Sequence, residues 1–253
     1  FRNTLLANGE KLYINLNYVD FDNITGCSLC FEHYTDATGE EYAEFILAAF
    51  NHINTKYGWV PDAVEIKLEP DNTDDLDTGW NTGNGILMGT LVAKTASRLA
   101  ANGFTPDFIA PSNTCDERSI SWADTIMSQP GVSGYLRELS YHRYPNGPIS
   151  NPCSPLGVIN SAGIASKGQQ YNLNTAMLEF WDTNNTYQTL HEDLKVAKNS
   201  AWQQGTVAWV TLDPVNTEVI RINSADSSFF VNDMTKFTRQ YYKFVRGKAL
   251  RVD

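Results

Sequence analysis

The sequence lacks the short motifs that mark several large enzyme classes. It contains no GxSxG nucleophile elbow, no Walker loop, no HExxH zinc motif and no set of protein-kinase motifs. No GxGxxG turn follows the first predicted strand, where the sequence is NYVDFDNITG. Serine-hydrolase and nucleotide chemistry are therefore poorly supported, and so is an open, doubly wound sheet.

Basic residues and long apolar runs are also scarce. There are 19 Lys and Arg residues against 29 Asp and Glu residues, which gives a net charge of −10. An acidic surface repels phosphate backbones, so we expect no nucleic-acid partner. No run of 18 apolar residues occurs, so we expect no membrane-spanning helix and no membrane partner.

Few residues are arranged as metal ligands. The motif CSLC at residues 27–30 is a lone CxxC pair, whereas a zinc site needs two such pairs. The stretch DNTDDLDTG at residues 71–79 is rich in carboxylates, but its spacing is not that of a calcium loop. We interpret it as a solvated acidic loop, and we predict neither a metal nor a cofactor.

Four cysteines and two glycosylation patterns favour secretion. The patterns are NIT at Asn23 and NNT at Asn184. In a secreted protein we expect a disulfide between Cys115 and Cys153, since both follow predicted strand ends. Cys27 and Cys30 share one loop and form a second candidate pair. The predicted location is extracellular.

What the sequence does contain is a regular alternation of strands and helices. Its 253 residues, 42% of them apolar, suit one α/β barrel. Strands are predicted over residues 11–21, 62–70, 107–112, 135–144, 172–181 and 206–213. Helices are predicted over residues 40–58, 85–103, 121–130, 187–205 and 233–247, and residues 145–168 are predicted as a loop.

This alternation predicts parallel strands with right-handed crossovers. The opening FRNTLLANGEKLYINLN indicates the tail of a helix, a glycine cap and a strand. A (β/α)8 TIM barrel would need two more strand–helix units before Phe1. We therefore predict one partial TIM-barrel domain over residues 1–253. Either the chain is a fragment, or another chain covers the exposed strand edges, which would give self-association through them.

Two predicted strands end in a glutamate. Glu69 ends the strand in VEIKLEPDNT, and Glu179 ends the strand in AMLEFW. In a parallel barrel the active site lies at these carboxyl ends, so both side chains should reach the barrel mouth from opposite walls. Two carboxyl groups across a sugar-sized gap are what glycosidic bond cleavage requires. A simpler interpretation is that each glutamate pairs with a nearby Lys or Arg.

Aromatic residues make up 12% of the chain, and some are candidates for stacking on sugar rings. We assign that role to Trp80, Trp181 and Trp209, with a place in the core as the alternative. His142 also stands at a strand end, where it is either a site residue or a satisfied core histidine.

Four short stretches together resemble the clan A glycoside hydrolases, with families 30, 39 and 5 the most similar. They are LEPDN, YHRY, MLEFW and AWVTLD, and the likeness spans residues 11–247. The resemblance implies that the six strands are strands three to eight of the barrel. It also implies roles for five residues: Glu69 is the acid/base, Glu179 the nucleophile, His142 and Tyr144 border the nucleophile, and Trp209 floors the subsite of the cleaved sugar.

The implied activity is retaining, double-displacement cleavage of β-linked bonds in a poly- or oligosaccharide. Glu179 should then be ionised, helped by a hydrogen bond from Tyr144 or His142. The pKa of Glu69 should be raised by burial and by the negative charge opposite.

One departure from the clan pattern weakens this assignment. The clan motif is Asn-Glu-Pro, but Leu68 precedes Glu69 here. That Asn normally hydrogen-bonds the sugar 2-hydroxyl, and Leu cannot. Asn17 or Asn113 is a candidate substitute donor. The alternative is a barrel that binds carbohydrate without cleaving it.

Overall fold

The computed structural model describes residues 2–19, 38–71, 85–144, 159–182, 185–203, 205–210, 218–246 and 249–250. Its main sheet has six strands that pair in chain order, each parallel to the next. They are β1 (Asn15–Asn17), β2 (Ala63–Glu65), β3 (Asp107–Asn113), β4 (Leu136–His142), β5 (Asn174–Glu179) and β6 (Ala201–Trp202). This is the predicted part of a (β/α)8 barrel.

In the described ranges, five α-helices lie between these strands along the chain, one precedes β1 and one follows the last strand of the chain. They are α1 (Arg2–Ala7), α2 (Glu40–Tyr57), α3 (Ile86–Ala101), α4 (Asp116–Ser128), α5 (Ser161–Tyr171), α6 (Tyr187–Lys195) and α7 (Met234–Phe244). The stop of α2 follows the predicted chemistry: Gly58 adopts a left-handed conformation, and its N–H donates to the carbonyl of Asn54.

Alternation along the strands separates two packing layers. Val64 of β2 and Ile66, which directly follows β2, face the helices. They lie in a core that also holds Phe50 of α2 and Leu91 of α3. The interior layer is made of small and medium apolar side chains from β2, β3 and β5: Ala63, Ile109, Ala176 and Leu178. Ala201 of β6 packs against them. The strand ends above this layer carry the polar residues of the candidate site.

The sixth strand is not the one that the sequence predicted. Helix α6 ends at Lys195, and residues 201–202 pair with β5, although they were predicted to be helical. The predicted strand at 206–213 instead contributes Ala208–Val210 to a separate three-stranded sheet. In that sheet β7 (Ala208–Val210) runs parallel to β8 (Ile220–Ile222), which pairs antiparallel with β9 (Phe229–Val231).

Helix α5 was also missed. The predicted loop at 145–168 ends inside Ser161–Tyr171, which is helical and capped by the side chain of Asn160. Two glycines weaken the helical signal in this segment, because glycine has a low helix propensity. Both are tightly packed: a Cβ on Gly168 would lie 2.6 Å from Cγ2 of Thr175.

Three further observations concern the surroundings of the chain. None of the helices in the described ranges is long and apolar enough to cross a membrane. Cys115 is buried and disulfide-bonded, to a cysteine outside those ranges, so its predicted pairing with Cys153 stays a prediction. Strands β1 and β6 form the two edges of the main sheet as described, and self-association through them likewise remains a prediction.

Candidate active site

Glu69 lies just beyond β2 in an unusual backbone conformation. Its φ is 46°, in the left-handed region that non-glycine residues rarely adopt. The Glu69 N–H donates to the carbonyl of Ser112 at 3.1 Å, and Ser112 is itself left-handed, with φ 56°. The ends of β2 and β3 are thus locked to each other. The Glu69 side chain is 11% exposed.

Glu179 is the last residue of β5, beside His142 of β4 in the sheet register. Its Oε1 accepts a hydrogen bond of 2.8 Å from the Tyr144 hydroxyl. That hydroxyl in turn accepts a bond of 2.8 Å from the Trp181 N–H. The Tyr144 hydroxyl therefore has a fixed direction and donates to the carboxylate.

The carboxylates of Glu69 and Glu179 lie close to each other. One carboxylate oxygen from each, together with a ring nitrogen of His142, all lie within 4.8 Å of one another. His142 Nδ1 and Glu69 Oε1 are 2.9 Å apart, which is a hydrogen bond. The simpler interpretation, that each glutamate pairs only with a nearby Lys or Arg, does not describe the contacts of this cluster.

Burial and charge act in opposite directions on these groups. Burial raises the pKa of Glu179, and the charge of Glu69 raises it further, while the charge of His142 and the Tyr144 hydrogen bond lower it. Tyr144 thus supplies the expected hydrogen bond, but burial outweighs it.

Three acidic side chains affect the pKa of His142. Its burial lowers its pKa, but the hydrogen bond to Glu69 and the charges of Glu69, Glu179 and Glu65 outweigh burial, and the net pKa is raised. The ring is fully buried. His142 therefore hydrogen-bonds the first glutamate, whereas Tyr144 hydrogen-bonds the second.

Glu65 is a third acid of the site, and the sequence analysis did not single it out. It lies on β2, is 3% exposed, and accepts a hydrogen bond of 2.7 Å from Asn15 Nδ2. Burial raises its pKa, and the charge of Glu179 adds to the effect. The alternation in VEIKLE places Glu65 on the same strand face as Ala63 and Lys67, so the signal was present in the sequence.

In the part of the chain that the structure describes, four predicted site residues, at or just beyond strand ends, carry buried polar atoms without a hydrogen-bond partner. Among the described residues, Asn17 Oδ1, both amide atoms of Asn113 and Trp181 Nε1 are buried without a hydrogen-bond partner, as is Nε2 of His142. Buried polar atoms are normally paired, so such atoms call for an explanation. They are suited to hydrogen-bonding the hydroxyls of a ligand.

The predicted tryptophans have different outcomes. Trp209 does not end a strand of the main sheet, contrary to the prediction; it lies on β7 and is 43% exposed. Its ring nonetheless contacts that of Trp181 edge to face, with centroids 5.0 Å apart. Trp80 lies outside the described residues, so its role stays a prediction.

Within the described ranges, Glu69, His142 and Glu179 form the one group of three acidic, histidine or cysteine side chains close enough to share a metal ion. In this structure Glu69 and His142 are hydrogen-bonded to each other. The contacts seen here are those of a hydrogen-bonded acid cluster, and the absence of a metal stays a prediction.

The fold is similar to those of several solved carbohydrate-active proteins. No protein-family model and no curated protein matches the chain. The catalytic domain of a family 30 xylanase from Talaromyces cellulolyticus matches with a TM-score of 0.64 and 14% identity, over 85% of this chain and 48% of that one. A family 30 subfamily 8 xylanase from Clostridium acetobutylicum matches with a TM-score of 0.63 and 14% identity, over 96% and 57%.

A conserved exported protein from Bacteroides fragilis gives a TM-score of 0.64 at 13% identity, over 95% of this chain and 60% of that one. The chain thus spans about half to three-fifths of these three proteins. At such identities the likeness shows the fold alone. It confirms the predicted partial TIM barrel and its resemblance to the barrels of clan A glycoside hydrolases.

Proposed function

We propose that residues 1–253 form one catalytic domain of a retaining β-glycoside hydrolase. The observation that carries this proposal is the distance of less than 4.8 Å between carboxylate oxygens of Glu69 and Glu179. Retaining enzymes hold their two carboxyl groups about 5–5.5 Å apart, whereas inverting enzymes need about 6.5–9.5 Å to admit a water molecule. The separation here fits the first class.

The reaction has two steps. Glu179 attacks the anomeric carbon while Glu69 gives its proton to the leaving oxygen, so that a glycosyl ester forms and the glycosidic bond breaks. Glu69 then takes a proton from water, whose oxygen attacks the anomeric carbon and releases Glu179. His142 holds Glu69 in place, and Tyr144 stabilises the ionised form of Glu179.

The substrate we propose is a β-linked poly- or oligosaccharide. Trp181 and Trp209 offer an aromatic corner beside Glu179, and aromatic faces stack on sugar rings. Asn17 and Asn113 would hydrogen-bond its hydroxyls through the atoms that lack protein partners. Two of the similar structures are named as xylanases, which fits a substrate of this class.

The same reasoning favours an extracellular protein. Disulfides persist in oxidising compartments, and Cys115 is disulfide-bonded. One of the similar structures is an exported protein.

Leu68 supports a second candidate, a barrel that binds carbohydrate without cleaving it. The Leu68 side chain has no hydrogen-bonding atom for a sugar hydroxyl, and interactions with the 2-hydroxyl supply several kcal/mol to the transition state of these enzymes. Under this alternative the acid cluster would bind sugar hydroxyls but turn over no substrate.

The test uses the purified protein with a panel of aryl β-glycosides and β-linked oligosaccharides. Wild type should release phenol with retention of configuration, seen by NMR of the first-formed sugar. Glu179→Gln should give no measurable turnover. In Glu69→Gln, kcat/KM should fall about 10²–10⁴-fold on poor leaving groups but little on dinitrophenyl glycosides, whose phenol leaves without protonation. With the dinitrophenyl substrates kcat should still fall, because hydrolysis of the glycosyl ester needs Glu69 as its base.

A surface glutamate gives the matched control. Glu40 is hydrogen-bonded to Lys94 and Arg98 on the outer helices, so Glu40→Gln should keep full activity. Saturable oligosaccharide binding with no turnover in wild type would establish the binding-only alternative. Inversion of configuration, or full activity in Glu179→Gln, would contradict the proposed mechanism.

A further inference from the structure

Asp71 is tied by four hydrogen bonds to Thr114, in the loop after β3, and to Arg118 of α4. Its carboxylate accepts from the Thr114 N–H at 2.7 Å, the Thr114 hydroxyl at 2.6 Å and Arg118 Nη1 at 3.0 Å. Arg118 also donates to the Asp71 backbone carbonyl at 3.0 Å. The Asp71 side chain is 2% exposed. It is therefore not part of a solvated acidic loop, as the sequence analysis expected, but a buried clamp two residues after Glu69.

Thr114 is also joined to the opposite side of the site. Its backbone carbonyl accepts a hydrogen bond of 3.0 Å from the Tyr144 N–H. The hydroxyl of that same tyrosine holds Glu179. Thr114 thus lies between two chains of hydrogen bonds, one through Asp71 to the backbone that carries Glu69, the other through Tyr144 to Glu179.

The backbone at Glu69 needs such a clamp. A left-handed conformation is unfavourable for a non-glycine residue and persists only where surrounding contacts enforce it. Glu69 and Ser112 are both left-handed and hydrogen-bonded to each other, and each lies two residues before a member of the Asp71–Thr114 pair. A change in the geometry of the Asp71–Thr114 pair therefore changes the geometry of the Glu69–Ser112 pair.

We propose that Thr114 and Asp71 are positioning residues that set the separation of Glu69 and Glu179. This inference rests on the proposed function for its kinetic consequence, but not for its structural one. Neither residue contacts the reacting carboxylates in the proposed mechanism; both act through the backbone of Glu69 and through Tyr144.

The decisive variants are Thr114→Val and Thr114→Ser. Valine keeps the volume but removes the hydroxyl that donates to Asp71, while serine keeps the hydroxyl. We expect kcat of Thr114→Val to fall at least tenfold with KM within twofold, because a misplacement of about 1 Å can cost about 10²-fold. Thr114→Ser should stay within about threefold of wild type.

A second buried threonine separates positioning from stability. Thr175 lies near the start of β5, is 4% exposed, and donates to the carbonyl of Ala197 at 2.8 Å. Thr175→Val removes a comparable buried hydrogen bond away from the strand ends. It should lower the melting temperature as Thr114→Val does, yet leave kcat unchanged.

Crystal structures of the variants give the readout that does not need turnover. In Thr114→Val the gap between the Glu69 and Glu179 oxygens should change by about 0.5 Å or more, the tolerance for a working site. It should be unchanged in Thr114→Ser and Thr175→Val. An unchanged gap in Thr114→Val, or an equal loss of kcat in Thr175→Val, would overturn the inference. If wild type cleaves no glycoside, the proposed function fails, and the measured gap alone decides whether the clamp positions the acids.

Discussion

Tyr144 is the residue whose contacts say most about the roles of its neighbours. Its hydroxyl donates to Glu179 and accepts from the Trp181 N–H, so its orientation is fixed by the backbone that follows the carboxylate. Its own pKa is raised well above the ordinary value, mainly by burial and by the charge of Glu179, so it remains a donor at neutral pH. A fixed donor of this kind favours the ionised form of the carboxylate.

Replacing Tyr144 with Phe tests this role. The variant loses the hydrogen bond that lowers the pKa of Glu179, so that pKa should rise further. The acidic limb of the kcat/KM profile reports ionisation of the nucleophile, and it should therefore move to higher pH. A hydrogen bond to a charged group is worth about 1.5–3 kcal/mol, so we expect kcat/KM to fall about tenfold or more.

Tyr171→Phe is the control for this prediction. The Tyr171 hydroxyl also donates to a carboxylate, Asp124, but on the exposed surface of α5 and α4. Its pH–rate profile should coincide with that of wild type. An acidic limb that does not move in Tyr144→Phe would show that the hydroxyl does not set the ionisation of Glu179.

At the scale of single residues, the sequence located part of the site and missed part. Glu69 and Glu179 were found because a carboxylate at the end of an apolar strand is conspicuous. Glu65 was missed because it stands inside the strand predicted over residues 62–70, where only the alternation indicates which way a side chain faces. Asp71 was misjudged because its partners, Thr114 and Arg118, are more than 40 residues away and only the fold brings them near.

At the scale of elements, α6 is joined to two strands through one buried carboxylate. Asp193 is fully buried and accepts hydrogen bonds from the Tyr141 hydroxyl at 2.7 Å and from Trp202 Nε1 at 3.0 Å. It also pairs with Arg143 of the segment that follows β4. Asp193 therefore connects α6 to β4 and β6 in one cluster of polar contacts.

Asp193→Ala should destabilise the fold by about 3–5 kcal/mol, because it leaves Arg143 Nη1 and two further buried donors without the carboxylate that accepts from them. The measurement is the free energy of unfolding in urea. Glu192→Ala is the matched control: Glu192 pairs with the same arginine but is 43% exposed, so its loss should cost less than about 1 kcal/mol. Equal losses in the two variants would contradict a central role for Asp193.

Helices α3 and α4 pack closely at a glycine. A Cβ on Gly89 would lie 2.5 Å from Gln129 Cγ and 3.0 Å from the carbonyl of Ile126. Gly89→Ala should therefore destabilise the protein by about 1–3 kcal/mol through overpacking, although alanine is the better helix former by about 1 kcal/mol.

Thermal unfolding of Gly89→Ala and Gly134→Ala checks this prediction. A Cβ on Gly134 would meet nothing within 4 Å, so that variant should be close to neutral. A stabilised Gly89→Ala would mean that the two helices can move apart at little cost.

Helices with a long apolar pattern could be predicted from the sequence, whereas the prediction failed for a strand too short to show a pattern. Helices α2 and α3 have 18 and 16 residues and apolar faces that the sequence displays clearly. Strand β6 has two residues, Ala201 and Trp202, which no periodic pattern can reveal. The stretch around Trp209 has a stronger strand pattern and does form a strand, but in the second sheet, because local pattern does not specify the pairing partner.

At the scale of the whole molecule, several strands of the main sheet carry buried acidic side chains whose charges act on one another. Glu138 of β4 is 9% exposed, and the negative charges of Glu65 and Asp107 disfavour its ionised form. Burial, followed by those charges, raises the pKa of Glu138 from 4.5 to about 7, against a lowering hydrogen bond from Ser200. The charge of Glu179 in turn raises the pKa of Glu65. The interior therefore binds protons more tightly than the unfolded chain does.

This has a consequence for stability against pH. Between pH 4.5 and 7 the folded protein holds a proton on Glu138 that the unfolded chain has released, so stability falls as pH rises through this window. The shift corresponds to about 3 kcal/mol, since one pKa unit is worth about 1.4 kcal/mol. Glu138→Gln replaces the protonated carboxyl by a neutral amide, which has no charged form to destabilise the fold at high pH.

Urea unfolding of wild type and Glu138→Gln from pH 4.5 to 8 tests this prediction. The two should be about equally stable at pH 4.5, and the variant should become more stable by up to about 3 kcal/mol near pH 8. Glu65, Glu179 and Asp116, whose pKa values are also raised, titrate in both proteins. The difference between the two curves therefore reports Glu138 together with its interaction with Glu65. Parallel curves would mean that Glu138 is hydrated in the folded protein, and the interior would then impose no penalty on its charge.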